Sequence, residues 1–263
     1  MAERWQDYQR IVVKVGTSTL TYPAGLINIR VMERLVKVLA DLKNSGKEII
    51  LVTSAAVSVG LGKLGFLERP TDVPSKQAAA AVGQCELMYL YDKMFADYNH
   101  NVAQILLTRD VTDHPERLDN VRNTFTRLLA MGAIPIVNEN DTVSVDEIKF
   151  GDNDTLSALV ARLTGAQFLV ILSDIEGLYT ANPETDQNAT LIPRVEKIDE
   201  HIESIAAGAG SARGTGGMVT KIHAAQMATQ AGIDMAIING KNPEKIYTLV
   251  EGGSAGTFFA AQV

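Results

Sequence analysis

An α/β fold, with a mainly parallel sheet sandwiched between helices, is what this sequence predicts. Three observations carry that expectation. Short apolar runs of strand length alternate with longer stretches of helical spacing nearly throughout the chain. Runs such as residues 48–53 and 168–172 show little polar alternation, which suits strands covered on both faces. Glycine-rich or polar clusters recur just after these runs, where a parallel sheet opens its carboxyl ends toward a ligand crevice.

Taken in order, Arg10–Val15 is a compact apolar strand, and Ile29–Asn44 has helical spacing with Gly46 as its stop. Residues 48–53 form a second strand, with a helix expected after Ser54. A long helical tract over 75–99 leads to a third strand at Val102–Leu107. The helix predicted at 117–131 ends on Gly132 and precedes an apolar strand at 134–137. Residues 143–150 read as a small excursion, a hairpin, before a helix at 155–164. A buried strand over 168–172 is followed by a surface loop at 180–193, rich in Asn, Asp and Pro. A helix over 217–231, a strand over 234–238, a short helix over 243–250 and a closing strand over 257–260 complete the chain. Strands separated by helices indicate βαβ units and hence parallel pairing.

The 263 residues show no internal repeat and no low-complexity linker, so one domain with two lobes is expected over the whole length. With 24 basic and 31 acidic side chains the net charge is −7, which offers no electrostatic footprint for nucleic acid or an anionic membrane. The first ten residues lack an apolar signal core, and no uninterrupted apolar stretch reaches the ~18 residues a spanning helix needs, so a cytoplasmic location is expected. A single cysteine, Cys85, excludes an internal disulfide framework and a cysteine-rich zinc site; a packed thiol on a helix is the expectation. The four histidines lack metal-ligand spacing.

The chemistry-bearing residues gather at predicted strand ends. Lys14 closes the first strand, and Gly16 after it lets backbone amides approach an oxyanion closely. Ser54 follows the second strand, where it can cap a helix or present its hydroxyl to a ligand. Asn138-Glu139-Asn140-Asp141 and Gly151-Asp152-Asn153-Asp154 place polar groups after a strand and at a helix start. Ser173 and Asp174 end a further strand. Gly214-Thr215-Gly216-Gly217 opens a helix with Lys221 in its first turn, an anion cradle by the physics of a helix N-terminus. Gly60, Gly62 and Gly65 match the dinucleotide fingerprint by letter only: the strand ends several residues earlier, and the position where an acid belongs is Cys85. No P-loop sequence occurs.

These segments together resemble the amino acid kinase family, in its glutamate 5-kinase branch. The likeness runs through Val13 to Ser18, Val52-Thr53-Ser54, Ala81-Val82-Gly83-Gln84, Leu107-Thr108-Arg109, Asn138 to Asp141, Gly151 to Asp154, Ser173-Asp174 and Gly214 to Lys221, in order and spacing. It implies a three-layer αβα sandwich around a mainly parallel sheet of about eight strands. It also implies ATP-dependent phosphorylation of the side-chain carboxylate of L-glutamate, the first step toward proline, with Mg²⁺ on the nucleotide. By this likeness Lys14 and Lys221 grip the transferring phosphoryl group and Asp154 orients both. Ser54, Asp141 and Asn153 would hold glutamate. Lys14, Ser173, Asp174, Thr215, Gly216, Gly217, Met218, Val219, Thr220 and Lys221 would hold ATP. The N-terminal part would then bind mainly glutamate and the C-terminal part mainly ATP. On this reading Asp154→Ala changes turnover and leaves the fold alone.

Further expectations follow from the resemblance: a homodimer or homotetramer, and feedback inhibition by L-proline. Relatives usually carry Gly where this chain has Ala55, and the extra methyl costs ~1 kcal/mol or more in activity if the position requires positive φ or touches substrate closely. Many relatives also append a PUA domain, which is not expected here. Acetylglutamate kinase, aspartokinase and a catalytically silent amino acid and nucleotide sensor stand as alternatives.

Overall fold

The computed structural model describes residues 8–143, 153–208 and 217–262. Apart from Val143, the expected excursion over 143–150 lies outside them. Among the described residues there are eight strands: β1 (Arg10–Val15), β2 (Glu48–Val52), β3 (Val102–Leu107), β4 (Ile134–Glu139), β5 (Phe168–Ser173), β6 (Arg194–Val195), β7 (Asp234–Asn239) and β8 (Thr257–Phe259). They form one sheet in the order β3-β4-β2-β1-β5-β7-β8-β6. Neighbours from β3 across to β7 pair in parallel; β8 runs antiparallel to β7, and β6 parallel to β8.

The described helices are α1 (Thr17–Leu20), α2 (Ile29–Asn44), α3 (Ala56–Lys63), α4 (Val73–Ala96), α5 (Pro115–Ala130), α6 (Asn153–Thr164), α7 (Glu200–Gly208), α8 (Met218–Gln230) and α9 (Lys245–Val250), with a 3₁₀ turn at Arg109–Asp113. The expected α2 is found with the same limits, and α4 with its ends shifted by two or three residues. Local chemistry sets both starts. The Asn28 side chain accepts from the Val31 N–H, and the Asp72 side chain accepts from the Ser75 N–H with Pro74 in the first turn. Each such cap is worth about 1 kcal/mol. Strand β6 and helix α7 have no counterpart in the expectation: two residues show no periodicity, and α7 presents only a narrow apolar stripe.

Strand alternation sorts the side chains into two cores. Ile11, Val13 and Val15 join Ile49, Leu51, Phe168, Val170 and Leu172 beneath α2, α3, α4 and α9. Val12 joins Ile50, Val52, Leu169 and Ile171 beneath α5, α6, α7 and α8. Helices therefore cover both faces of the sheet, as predicted. Lys14 has the parity of Val12, so it points toward α6 and α8 at the carboxyl end of β1.

Gly60 of the fingerprint-like stretch has a packing role, shared with Gly83 of α4. A Cβ on Gly60 of α3 would lie 1.8 Å from the Ala79 carbonyl oxygen, and one on Gly83 of α4 would lie 1.8 Å from that of Ala56. The two helices thus touch backbone to backbone. Cys85, two positions beyond Gly83, is exposed rather than packed. Helical spacing turns it to the outer side of α4 while Gly83 and Gln84 face inward.

Candidate active site

Parallel register brings the informative strand ends to one edge of the sheet. Lys14 lies beside Val52 and Ile171, Val52 beside Val137, and Leu107 beside Glu139. The loops after β1, β2, β4 and β5 therefore open on the same crevice, flanked by the N-termini of α3, α6 and α8.

At its centre stands Asp154, in the first turn of α6 and 1% exposed. Lys14 Nζ lies 2.7 Å from Asp154 Oδ1, and Lys221 Nζ of α8 lies 3.1 Å from Oδ2. Both lysines are themselves 7% exposed. Thr220 Oγ donates to Oδ2 at 2.8 Å. Burial by itself raises the Asp154 carboxyl, but the two ammonium groups and the Thr220 hydroxyl overcome it and hold it at about 2. The trio carries one net positive charge in a buried setting, which suits an anion. Gly16 completes the surroundings: a Cβ there would stand 3.5 Å from Lys14 Nζ, so the backbone after β1 passes close to the ammonium.

A buried chain of amides runs from this centre toward α4. Asn153 Nδ2 lies within donating distance of the Thr53 carbonyl (2.7 Å), Ser54 Oγ (2.9 Å) and Asn138 Oδ1 (2.9 Å). Asn138 Nδ2 in turn donates to Gln84 Oε1 at 2.9 Å. Ser54 is not a helix cap. The N-cap of α3 is Ala55, and the Ser54 hydroxyl serves the amide chain instead. Ala55 has φ 82°, the left-handed conformation that favours glycine.

Beyond the amides, a small solvent-open recess is lined by Ala56, Ala80, Gln84, Leu106, Glu139, Asn140, Asp141 and Thr142. Burial, reinforced by the nearby Glu139, pushes the Asp141 carboxyl up to about 7. On the opposite side of Lys14, Ser173 Oγ donates to Asp174 Oδ1 at 3.1 Å, and Asn239 Nδ2 donates to Glu176 Oε1 at 3.0 Å.

Of the residues singled out from sequence, Lys14, Ser54, Asn153, Asp154 and Lys221 therefore meet through direct contacts or one intermediary. Asp141 lies in the adjoining recess, and Ser173 and Asp174 lie at the end of the neighbouring strand. Thr215 and Gly216 are outside the described residues, as are Gly151 and Asp152. Gly217 caps α8. Met218 turns into the core and Val219 outward, so any contact by Met218 with a ligand falls to its backbone. The sequence placed Asn138 in a polar cluster read as a binding loop and Gln84 in a family-like segment, but gave neither residue a role of its own. Their signal was parity: Asn138 follows β4's apolar run on the face that Thr53 shares, and Gln84 follows the glycine that presses α4 into the molecule. Among the described residues no cluster of His, Cys, Asp and Glu suits a metal ion.

The amino acid kinase family model matches residues 9–239. A glutamate 5-kinase of Clostridium perfringens is 52% identical over 266 aligned positions, spanning 100% of this chain and 99% of the relative. That of Listeria welshimeri is 52% identical over 264 positions, spanning 99% and 96%. Among solved structures, the UMP kinase of Ureaplasma parvum superposes with a TM-score of 0.65 at 13% identity, covering 96% of this chain and 99% of its own. The isopentenyl phosphate kinase of T. acidophilum gives 0.61 at 16% identity, covering 95% and 99%. At such identities the superpositions speak to fold alone, and they agree with the eight-stranded three-layer arrangement. Fold, crevice and sequence relatives converge on one conclusion: this chain belongs to the amino acid kinase family.

Proposed function

We propose that this chain transfers the γ-phosphoryl group of ATP to the side-chain carboxylate of L-glutamate, giving L-glutamyl 5-phosphate and ADP, the first step toward proline. One observation carries the chemistry: Lys14 and Lys221, from opposite ends of the chain, meet on the single carboxylate of Asp154. The choice of glutamate is supported by relatives of that name, about half identical over the full chain.

The acceptor needs no general base. A glutamate side chain with an ordinary pKa of ~4.3 is already ionised at neutral pH. Asp154, held at about 2, is itself too weak a base to take a proton, so its role is to keep both ammonium groups in place. The obstacle is repulsion between an anionic nucleophile and a polyanion, ~4 kcal/mol per charge pair at about 4 Å and an effective dielectric of ~20. Lys14 and Lys221 offset it, and catalysis is positioning plus electrostatics.

Ser54, Asn153 and Asp141 would hold glutamate; Ser173, Asp174 and the start of α8 from Thr215 to Lys221 would hold ATP. Mg²⁺ favours phosphate oxygens and retained water over a protein cage. It would arrive on the nucleotide and there neutralise phosphate charge. We place the enzyme in the cytoplasm, as a homo-oligomer that L-proline inhibits by competing in the glutamate pocket. The apolar outer stripe of α4, with Cys85 and Tyr89 exposed, supports self-association. Sedimentation at micromolar concentration tests that state, and a monomer would remove it. Unchanged glutamate kinetics at millimolar proline would remove the inhibition.

The central test incubates the protein with ATP, Mg²⁺ and L-glutamate and traps the acyl phosphate with hydroxylamine. Glutamate-dependent hydroxamate is expected, and little with N-acetylglutamate or L-aspartate. Absence of glutamate-dependent ADP release would overturn the reading.

A further inference from the structure

We infer that Gln84 determines acceptor specificity, donating from Nε2 to the α-carboxylate of the bound amino acid; this rests on the glutamate reading above. Its orientation is fixed by neighbours. The Glu139 backbone N–H can only donate, and it donates to Asn138 Oδ1 at 3.0 Å, which Asn153 Nδ2 also approaches. Asn138 must therefore turn Nδ2 to Gln84, and Gln84 must answer with Oε1. Nε2 is left on the other side. It is buried, the residue being 8% exposed, and it has no hydrogen-bond partner among the described residues. A buried amide donor with nothing to bind is rare in folded proteins and calls for a ligand or a bridging water.

Gln84 lines the recess that also holds Asp141 and Glu139. The amide chain gives the direction of the substrate. Its reacting carboxylate belongs beside Lys14, Asp154 and Lys221, so its amino acid head lies toward the Gln84 end. There the two acidic side chains suit the α-ammonium, and the α-carboxylate requires a donor. An amide meets that need where a lysine would be neutralised by Asp141 and Glu139. The backbone contact at Gly83 fixes the height of α4 and so where the adjacent Gln84 reaches.

The experiment compares the wild type with Q84L, and with Q84E, which keeps the shape and the acceptor facing Asn138 but removes the donor. The readouts are KM for L-glutamate, KM for ATP and the inhibition constant of 4-aminobutyrate, which is glutamate without its α-carboxylate. KM for glutamate is expected to rise about 10- to 100-fold in both variants, the loss typical of a hydrogen bond to a charged group. The ATP value and the 4-aminobutyrate constant should stay within about twofold, since neither ligand uses the lost donor. Thermal melting confirms folding, and Q84E serves if Q84L does not fold. A glutamate KM close to wild type, or a 4-aminobutyrate constant rising in step with it, would overturn the assignment of Gln84 alone. A wild type that forms no glutamyl phosphate would overturn the underlying reading and this inference with it, before any variant is examined.

Discussion

Ala55 shows how much one methyl group can matter. Its φ of 82° is disfavoured for any residue with a Cβ, and the serine before it and the helix after it hold it there. Ala55→Gly should raise stability by about 1 kcal/mol, read as a higher midpoint in urea; an unchanged or lower midpoint would show that the methyl's burial outweighs the backbone strain. At Asp154 the sequence reading foresaw a change of rate alone, but the burial of both lysines alters that expectation. Asp154→Ala strands two ammonium groups and should cost about 3 kcal/mol or more of stability as well as turnover. Lys14→Ala and Lys221→Ala should each lower kcat at least about 100-fold with the fold intact by circular dichroism. Near-normal turnover in either lysine variant would remove the electrostatic role.

The pairing of α3 with α4 is the element that positions the recess beside the crevice. Backbone contact at Gly60 and Gly83 brings Gln84 to the amide chain and Ala56 to the recess. Gly83→Ala would force a Cβ into the Ala56 carbonyl, so α4 must move outward. We expect a loss of about 1–3 kcal/mol from overpacking, with glutamate KM raised and ATP KM little changed. Equal change in both constants would mean that the shift reaches the nucleotide side. Elements were legible from sequence where periodicity was strong, as in α2, where a helical tract was long, as in α4, or where a run was apolar and compact, as in β1 and β3. The two-residue β6 was not, because its place in the sheet comes from pairing with β8 alone.

Over the whole molecule, two carboxyls pull stability in opposite directions with pH. Asp154, depressed to about 2, contributes stability above its unfolded value near 3.8 and loses it as pH falls from there toward 2. Asp141 is raised to about 7, so its folded form keeps a proton that the unfolded chain has released. Its contribution is full below about 3.8 and declines as pH rises toward 7. Asp141→Asn should therefore gain stability relative to wild type as pH rises from 4 to 8, measured by urea midpoints across that range. A constant difference would show that burial does not raise the Asp141 carboxyl. With the α-ammonium beside Asp141, as proposed above, the carboxylate form is favoured and glutamate binding near pH 6.5 should release a proton, detectable by calorimetry in buffers of different ionisation enthalpy.

The sequence by itself determined the αβα layering and marked the polar strand ends and the two lysines as candidates, because periodicity and residue type are local properties. It also marked Ala55 as a position to question, though not its backbone angle. Only the tertiary structure decided that Lys14, Asp154 and Lys221 share one contact, since residues some two hundred positions apart meet through strand register and helix placement. It likewise decided that Ser54 joins an amide chain rather than capping a helix, and that the Gln84 Nε2 is buried with no hydrogen-bond partner among the described residues. Hydrogen-bond direction in a buried network follows from every partner at once, and no single stretch of sequence contains them all.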